Sequence, residues 1–145
     1  MSDALTEAER FAVEWACTRL IHRFALLNDA GDYAAVAALF TEDGSFARPA
    51  APDSPVQGRD AILRFFRDRP ARVTRHLMNN VVVTAEAPDR ASASSYVTLF
   101  TAPGGSTLPA KADPGIAIGR YDDQLVREDA EWRFVCRRGS MSLNF

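Results

Sequence analysis

Few residues in this chain can exchange a proton near neutral pH. There are two histidines, His22 and His76, and imidazole is the side chain whose ordinary pKa lies closest to neutrality. His76 falls in the run Arg72-Val73-Thr74-Arg75-His76-Leu77-Met78-Asn79-Asn80-Val81-Val82-Val83. The β-branched second half of that run asks to be buried in a strand, yet its middle carries a histidine and two asparagines, and polar groups there cost free energy unless something pairs with them. Alternation puts His76, Met78, Asn80 and Val82 on one face and Leu77, Asn79, Val81 and Val83 on the other. Such a histidine is either a general acid or base or a strand residue bonded to a backbone carbonyl. Asn80, on its face, could hold a ligand oxygen or satisfy a backbone group.

Other candidates are weaker on chemistry alone. Tyr96 shares a strand face with Ser94, Thr98 and Phe100; its phenol could donate to a substrate carbonyl as charge develops, or belong to a core aromatic with a satisfied hydroxyl. Asp29 stands next to turn formers at the end of a helical pattern, where a carboxylate commonly bonds to nearby backbone. His22 lies inside that helix, and no carboxylate or cysteine set at ligand spacing accompanies either histidine, so no metal site is expected. Gly31 and Gly104-Gly105 match no phosphate-cradling pattern, which leaves no expectation of a nucleotide cofactor. Cys17 and Cys136 read as reduced, half-buried small residues.

The elements that position these groups follow a simple order. Thr6-Glu7-Ala8-Glu9 has capping-box spacing, and Phe11, Trp15, Thr18, Leu20, Ile21, Phe24, Ala25 and Leu27 approximate one broad helical face ending near Asn28. Gly31 suits the left-handed cap of that helix, and Asp32 can cap a second one carrying Tyr33, Val36, Ala37, Leu39 and Phe40. Thr41-Glu42-Asp43-Gly44 reads as a turn and Ser45-Phe46-Ala47-Arg48 as a short strand. The proline-rich run 49–55 reads as an exposed loop. A third helix carries Ile62, Leu63, Phe65 and Phe66 and stops at Pro70. Strands over 73–86 and 90–102, then 115–128 and 131–142, form two antiparallel hairpins, with a Gly/Pro-rich loop over 103–114 as a candidate lid. Helices first and long antiparallel strands after them is the α+β order, with a curved sheet folded around three helices.

The bulk numbers bound the function. One globular domain over 1–145 is expected from 145 residues that are 47% hydrophobic and 25% charged. A net charge of −2 leaves no basic surplus for phosphate backbones, so nucleic-acid binding is not expected. The acidic N-terminal run is unlike a signal peptide and no apolar run reaches spanning length, so a cytoplasmic protein without membrane contact is expected.

Several signatures occur in sequence: Asn28-Asp29-Ala30-Gly31-Asp32-Tyr33, Ala38-Leu39-Phe40-Thr41-Glu42-Asp43-Gly44, Gly58-Arg59-Asp60-Ala61-Ile62, Arg75-His76-Leu77-Met78-Asn79-Asn80-Val81, Gly119-Arg120-Tyr121-Asp122-Asp123 and Glu131-Trp132-Arg133-Phe134. Together they resemble the SnoaL-like branch of the nuclear transport factor 2 (NTF2-like) superfamily, and within it the scytalone dehydratase-like group. The resemblance implies an NTF2-like cone of bent sheet, the long first helix across its mouth, and a small-molecule ligand in an enclosed pocket. It also implies a pair between Asp29 and His76, with Tyr96 near a position where dehydratases carry a second pocket histidine and Asn28 where they often place a tyrosine. Phe24 and Phe100 would line the pocket. Dehydrochlorinase-like members carry a pocket arginine at the position of Arg137; alternation sets Trp132, Phe134, Cys136 and Arg138 against Arg133, Val135 and Arg137, so Arg137 could face inward only with a bulge, and Arg138 competes for the role.

The activity the resemblance implies is a cofactor-independent lyase, dehydratase or isomerase acting on a small apolar, cyclic or aromatic-derived molecule. The alternatives are a non-catalytic small-molecule-binding protein and an assembly subunit similar to the β subunits of ring-hydroxylating dioxygenases. A homo-oligomer, dimer or trimer, is expected, with Leu77, Val81, Val83, Val97 and Leu99 offering apolar surface outside the sheet.

Overall fold

The computed structural model describes residues 4–145; residues 1–3, the head of the acidic N-terminal run, lie outside the described residues. Helix α1 (Glu7–Ala30) starts at the capping box: Glu9 N donates to Thr6 Oγ1 at 3.1 Å and Thr6 N to the Glu9 carboxylate at 2.8 Å. It ends at Gly31, whose φ of 73° is the left-handed conformation a side chain would resist. Its buried face is Val13, Cys17, Leu20, Ile21, Phe24, Ala25 and Asn28. Phe11 and Trp15, read as part of that face, are instead 67% and 57% exposed. Each lies two residues before a buried one, about 200° away around the helix, so the apolar positions of α1 form two faces.

Helix α2 (Tyr33–Ala38) is capped by Asp32, whose carboxylate accepts from Ala35 N at 3.2 Å. Strand β1 (Phe40–Ala47) includes the segment expected as a turn: 41–44 stay within the strand as an irregularity, where partners on β6 shift between Phe40 and Ser45. There follow β2 (Val56–Gln57), α3 (Arg59–Arg67), β3 (Arg72–Ala87), β4 (Arg90–Pro103), β5 (Ala117–Glu128) and β6 (Glu131–Asn144).

These strands form one sheet in the order β2-β1-β6-β5-β4-β3, antiparallel except for β1 with β6. Helix α1 packs across it, chiefly against the edge strand β3. This is the α+β cone expected. Its core is aromatic: the Phe24 ring lies within 6.3 Å of the centroids of Phe40, Phe46, Phe66, Tyr121 and Phe134. The β4–β5 loop is fastened at its far end by Asp113, which accepts from Thr101 Oγ1 at 2.7 Å and from Arg72.

Two bulges decide which side chains face inward. On β3, Asn79 pairs with Tyr96 and Val82 with Ser94, so Asn80 and Val81 together face Ser95; Asn80 takes a φ of 52°. Before this bulge the alternation holds, with Met78 buried and Leu77 exposed. After it the phase reverses: Val81 and Val83 pack on the core, while Asn80 and Val82 are exposed. Asn80 therefore does not share the inner face of His76, and Val81 and Val83 are not outer surface.

The assignment of faces on β4 is corrected throughout. Ala91, Ala93, Ser95 and Val97 are buried, and Leu99 pairs with His76 on the inner side. Tyr96 is 46% exposed, paired with Asn79 on one side and Arg120 on the other. Small inner residues on β4 leave the interior to the aromatic rings. On β6, Gln124 pairs with Cys136 but Leu125 with Phe134, which makes Val135 the extra residue. That bulge turns both Phe134 and Arg137 inward, each 0% exposed.

Candidate functional site

His76 is brought to Asp29 by two unrelated pieces of local structure. Gly31 ends α1 one turn after its last buried residues, which leaves Asp29 on the terminal turn beside β3. The strand then offers three donors to this one carboxylate. The backbone N–H of His76 donates to Asp29 Oδ2 at 2.9 Å, Thr74 Oγ1 donates to Oδ1 at 2.8 Å, and His76 Nδ1 lies 2.6 Å from Oδ1. A carboxylate that close to Nδ1 fixes a proton there, and in the neutral ring that leaves Nε2 with a free lone pair. The two side chains are 12% and 11% exposed, so the pair is sheltered but still reached from outside.

Thr74 was not singled out from the sequence. The signal for it was present, because a residue two positions before His76 on a strand shares its face. Asn28, expected against a ligand, is 5% exposed and accepts from Arg69 Nη2 at 3.0 Å; the Arg69 guanidinium lies 4.5 Å from the Phe66 ring centroid. Phe24 is the centre of the aromatic core. Phe100 lines a surface groove under the β4–β5 loop with Leu108, Ala110 and Ala112. Tyr96 and Asn80 are separated from the pair by the sheet itself.

Arg137, and not Arg138, is the interior arginine. Arg138 is exposed and bonds Asp53 and the Pro52 carbonyl. The Arg137 guanidinium sits 3.9 Å from the Tyr121 ring centroid, 4.5 Å from that of Phe24 and 4.8 Å from that of Phe134. Its Nε is 3.2 Å from Asp123 Oδ1, and both side chains are fully buried. That contact is an ion pair without hydrogen-bond alignment: all three guanidinium nitrogens, both Asp123 oxygens and the neighbouring Ser95 Oγ bond to no protein group. Burial pushes the Asp123 carboxyl up from its usual 3.8 to about 6, Arg137 opposing and Asp122 adding to the rise. Burial, with the charge of Asp123, also pushes the Cys17 thiol up to about 12, which disfavours its thiolate. Nothing in the Gly119-Arg120-Tyr121-Asp122-Asp123 run marks Asp123 as buried; its cross-strand pairing with an inward Arg137 depends on the β6 bulge.

Residues 9–138 match the SnoaL-like domain family. The chain belongs to that family. The SnoaL-like domains lie in the NTF2-like superfamily. Among solved structures, the domain is similar to an NTF2-like protein with a cystatin-like fold from Novosphingobium aromaticivorans (25% identity, 87% of this chain and 79% of that one, TM-score 0.66). A candidate scytalone dehydratase from the same organism shares the fold at 24% identity (90% and 84% covered, TM-score 0.74). So does a hexachlorocyclohexane dehydrochlorinase, LinA type 2, at 15% identity (97% and 92% covered, TM-score 0.80). No curated protein matches the sequence significantly. No helix among the described residues is long and apolar enough to cross a membrane.

Proposed function

We propose that this SnoaL-like domain is a cofactor-independent lyase, dehydratase or isomerase that removes a proton beside a carbonyl or leaving group of a small apolar, cyclic or aromatic-derived molecule. The observation that carries the reading is the threefold hold on Asp29, which orients His76 through Nδ1 and leaves Nε2 to act as the base. Asp29 stabilises the imidazolium that forms and does not itself take the proton. Tyr96 and Asn80 drop out of the machinery because they lie outside the sheet. Arg137 could receive negative charge developing on the substrate only if the substrate reached it past the Phe24 and Tyr121 rings and competed with Asp123, because its guanidinium is fully buried in that ion pair. The names of the similar dehydratase and dehydrochlorinase structures are consistent with that reaction type.

The domain acts as a cytoplasmic homo-oligomer in this reading, with Leu77 and Val82, 50% and 60% exposed, joining Tyr96 in an apolar outer sheet face that a second copy would cover.

The test is proton exchange in heavy water on a panel of cyclic ketones and β-hydroxy ketones, followed by proton NMR. Wild type should wash deuterium into the position beside the carbonyl of at least one compound. His76→Ala should lose about 100-fold or more of that rate while keeping its circular dichroism spectrum. Equal exchange by wild type and His76→Ala would contradict the assignment.

A further inference from the structure

Helix α1 has a second apolar face that the fold does not use. Phe11, Trp15 and Leu26 are 67%, 57% and 71% exposed, and their spacing of four and eleven residues puts them on one side of the helix. Beside this stripe runs an open groove of about 870 Å³ between α1, α2 and the tip of the β5–β6 hairpin. Trp15, Leu26, Leu39 and Trp132 supply its apolar lining, and Arg19, His22 and Arg23 line it from α1. The charges are not balanced locally. Glu131, the groove's carboxylate, is answered by Arg133 at 2.9 Å. Arg19 stacks over the Trp15 ring at 4.9 Å, and neither Arg19 nor Arg23 forms an ion pair among the described residues. They stand four residues apart on the same helix, where like charges oppose helix formation.

We propose that this groove is a docking site for an acidic amphipathic helix of a partner protein. From Trp15 to Leu26 the groove follows α1 for about 16 Å, or three helical turns. That is the length over which a docked helix presents anchors at intervals of three and four. An open trough flanked by two unanswered arginines takes apolar anchors on the tryptophans and carboxylates on the rim. A second copy seated on the same face by two-fold symmetry would bring its own Arg19 and Arg23 to a surface already in positive excess. Two arginines are too few to grip a nucleic acid on a chain of net charge −2. The groove ends one turn before Asp29, so a partner lying in it reaches the end of α1 that carries the reactive pair.

The chain's only two tryptophans both line this groove, so intrinsic fluorescence reads its occupation. The probe is a synthetic tryptophan-free peptide of about four helical turns, with leucines along one face and glutamates on its flanks. Saturable quenching or a blue shift with wild type is expected, with about ten-fold or greater loss of affinity in the Arg19→Glu/Arg23→Glu variant and no response to the same peptide carrying lysines. Both arginines are exposed, and circular dichroism checks that the variant keeps its fold. No saturable response, or equal affinity of the variant, overturns the proposal. So does a response to phosphatidylglycerol vesicles but not to the peptide, which would make this a membrane face. A change of oligomeric state on Arg19→Glu/Arg23→Glu, read by sedimentation, would assign the face to a second copy and also overturn it.

Discussion

At the end of α1, Asp29 accepts three hydrogen bonds and its partner His76 keeps one ring nitrogen uncommitted. Beside Cys17 and Phe24 of the same helix, Asp123 and Arg137 lie 3.2 Å apart with no aligned hydrogen bond, walled by aromatic rings and fully buried. In the first pair the carboxylate is held by directed donors and its charge is spent on orienting an imidazole. In the second the charges are held by each other and by ring faces, so the energy of that region depends on protonation and on both partners being present. One end of the interior is organised to move a proton, and the other stores charge.

The sharpest way to break this contrast is to remove one member of the stored pair. Arg137→Ala leaves a buried carboxyl without its counter-charge and a gap under the rings. It should cost about 3–5 kcal/mol in urea denaturation. A cost below about 1 kcal/mol would show that the pair is solvated in practice.

The same region should reveal itself through pH. The Asp123 carboxyl ionises near 3.8 when unfolded and is raised to about 6 in the fold. The folded state therefore binds the extra proton between those values, and this group's contribution to stability falls as pH rises from about 4 to about 6. Wild type should lose stability relative to Asp123→Asn across that window and run parallel to it above. Parallel behaviour throughout would mean that burial does not perturb this carboxyl.

At the other end, Thr74→Val removes one directed bond to Asp29. A loss of about 1.5 kcal/mol is expected, with exchange activity falling alongside it, and Thr74→Ser should restore both. Loss of stability with activity intact would reduce Thr74 to a structural residue. The smallest effect is expected outside the sheet: Tyr96→Phe should change stability by no more than about 0.5 kcal/mol and leave exchange untouched. Lost activity there would mean that the outer face takes part in the chemistry.

Much of the architecture was readable because each signal was local. The Thr6–Glu9 capping box, the Gly31 cap, Asp32 at α2 and the two hairpins all depend on residues close in sequence. The inner and outer faces were not readable in full, because period-two reasoning carries no information about where a strand gains a residue. The bulges at Asn80 and Val135 reversed the phase for Asn80, Val81 and Val83 and admitted Arg137. On β4 the inner face is Ala91-Ala93-Ser95-Val97, and the larger Tyr96 and Phe100 drew the reading to the opposite face. In α1, two apolar faces were read as one. The Asp29–His76 juxtaposition joins residues far apart in sequence; it came from the family resemblance, and Thr74 was overlooked beside it.

The central claim is that Asp29 holds the His76 proton on Nδ1 and leaves Nε2 free as a base. Two-dimensional nitrogen-15 NMR of the histidine rings at neutral pH tests it without a substrate. His76 should appear as the Nδ1-protonated tautomer with an unprotonated Nε2, and Asp29→Ala should shift it towards the tautomer mixture of a free neutral imidazole. An Nε2-protonated His76 in wild type, or a spectrum indifferent to Asp29→Ala, would contradict the account.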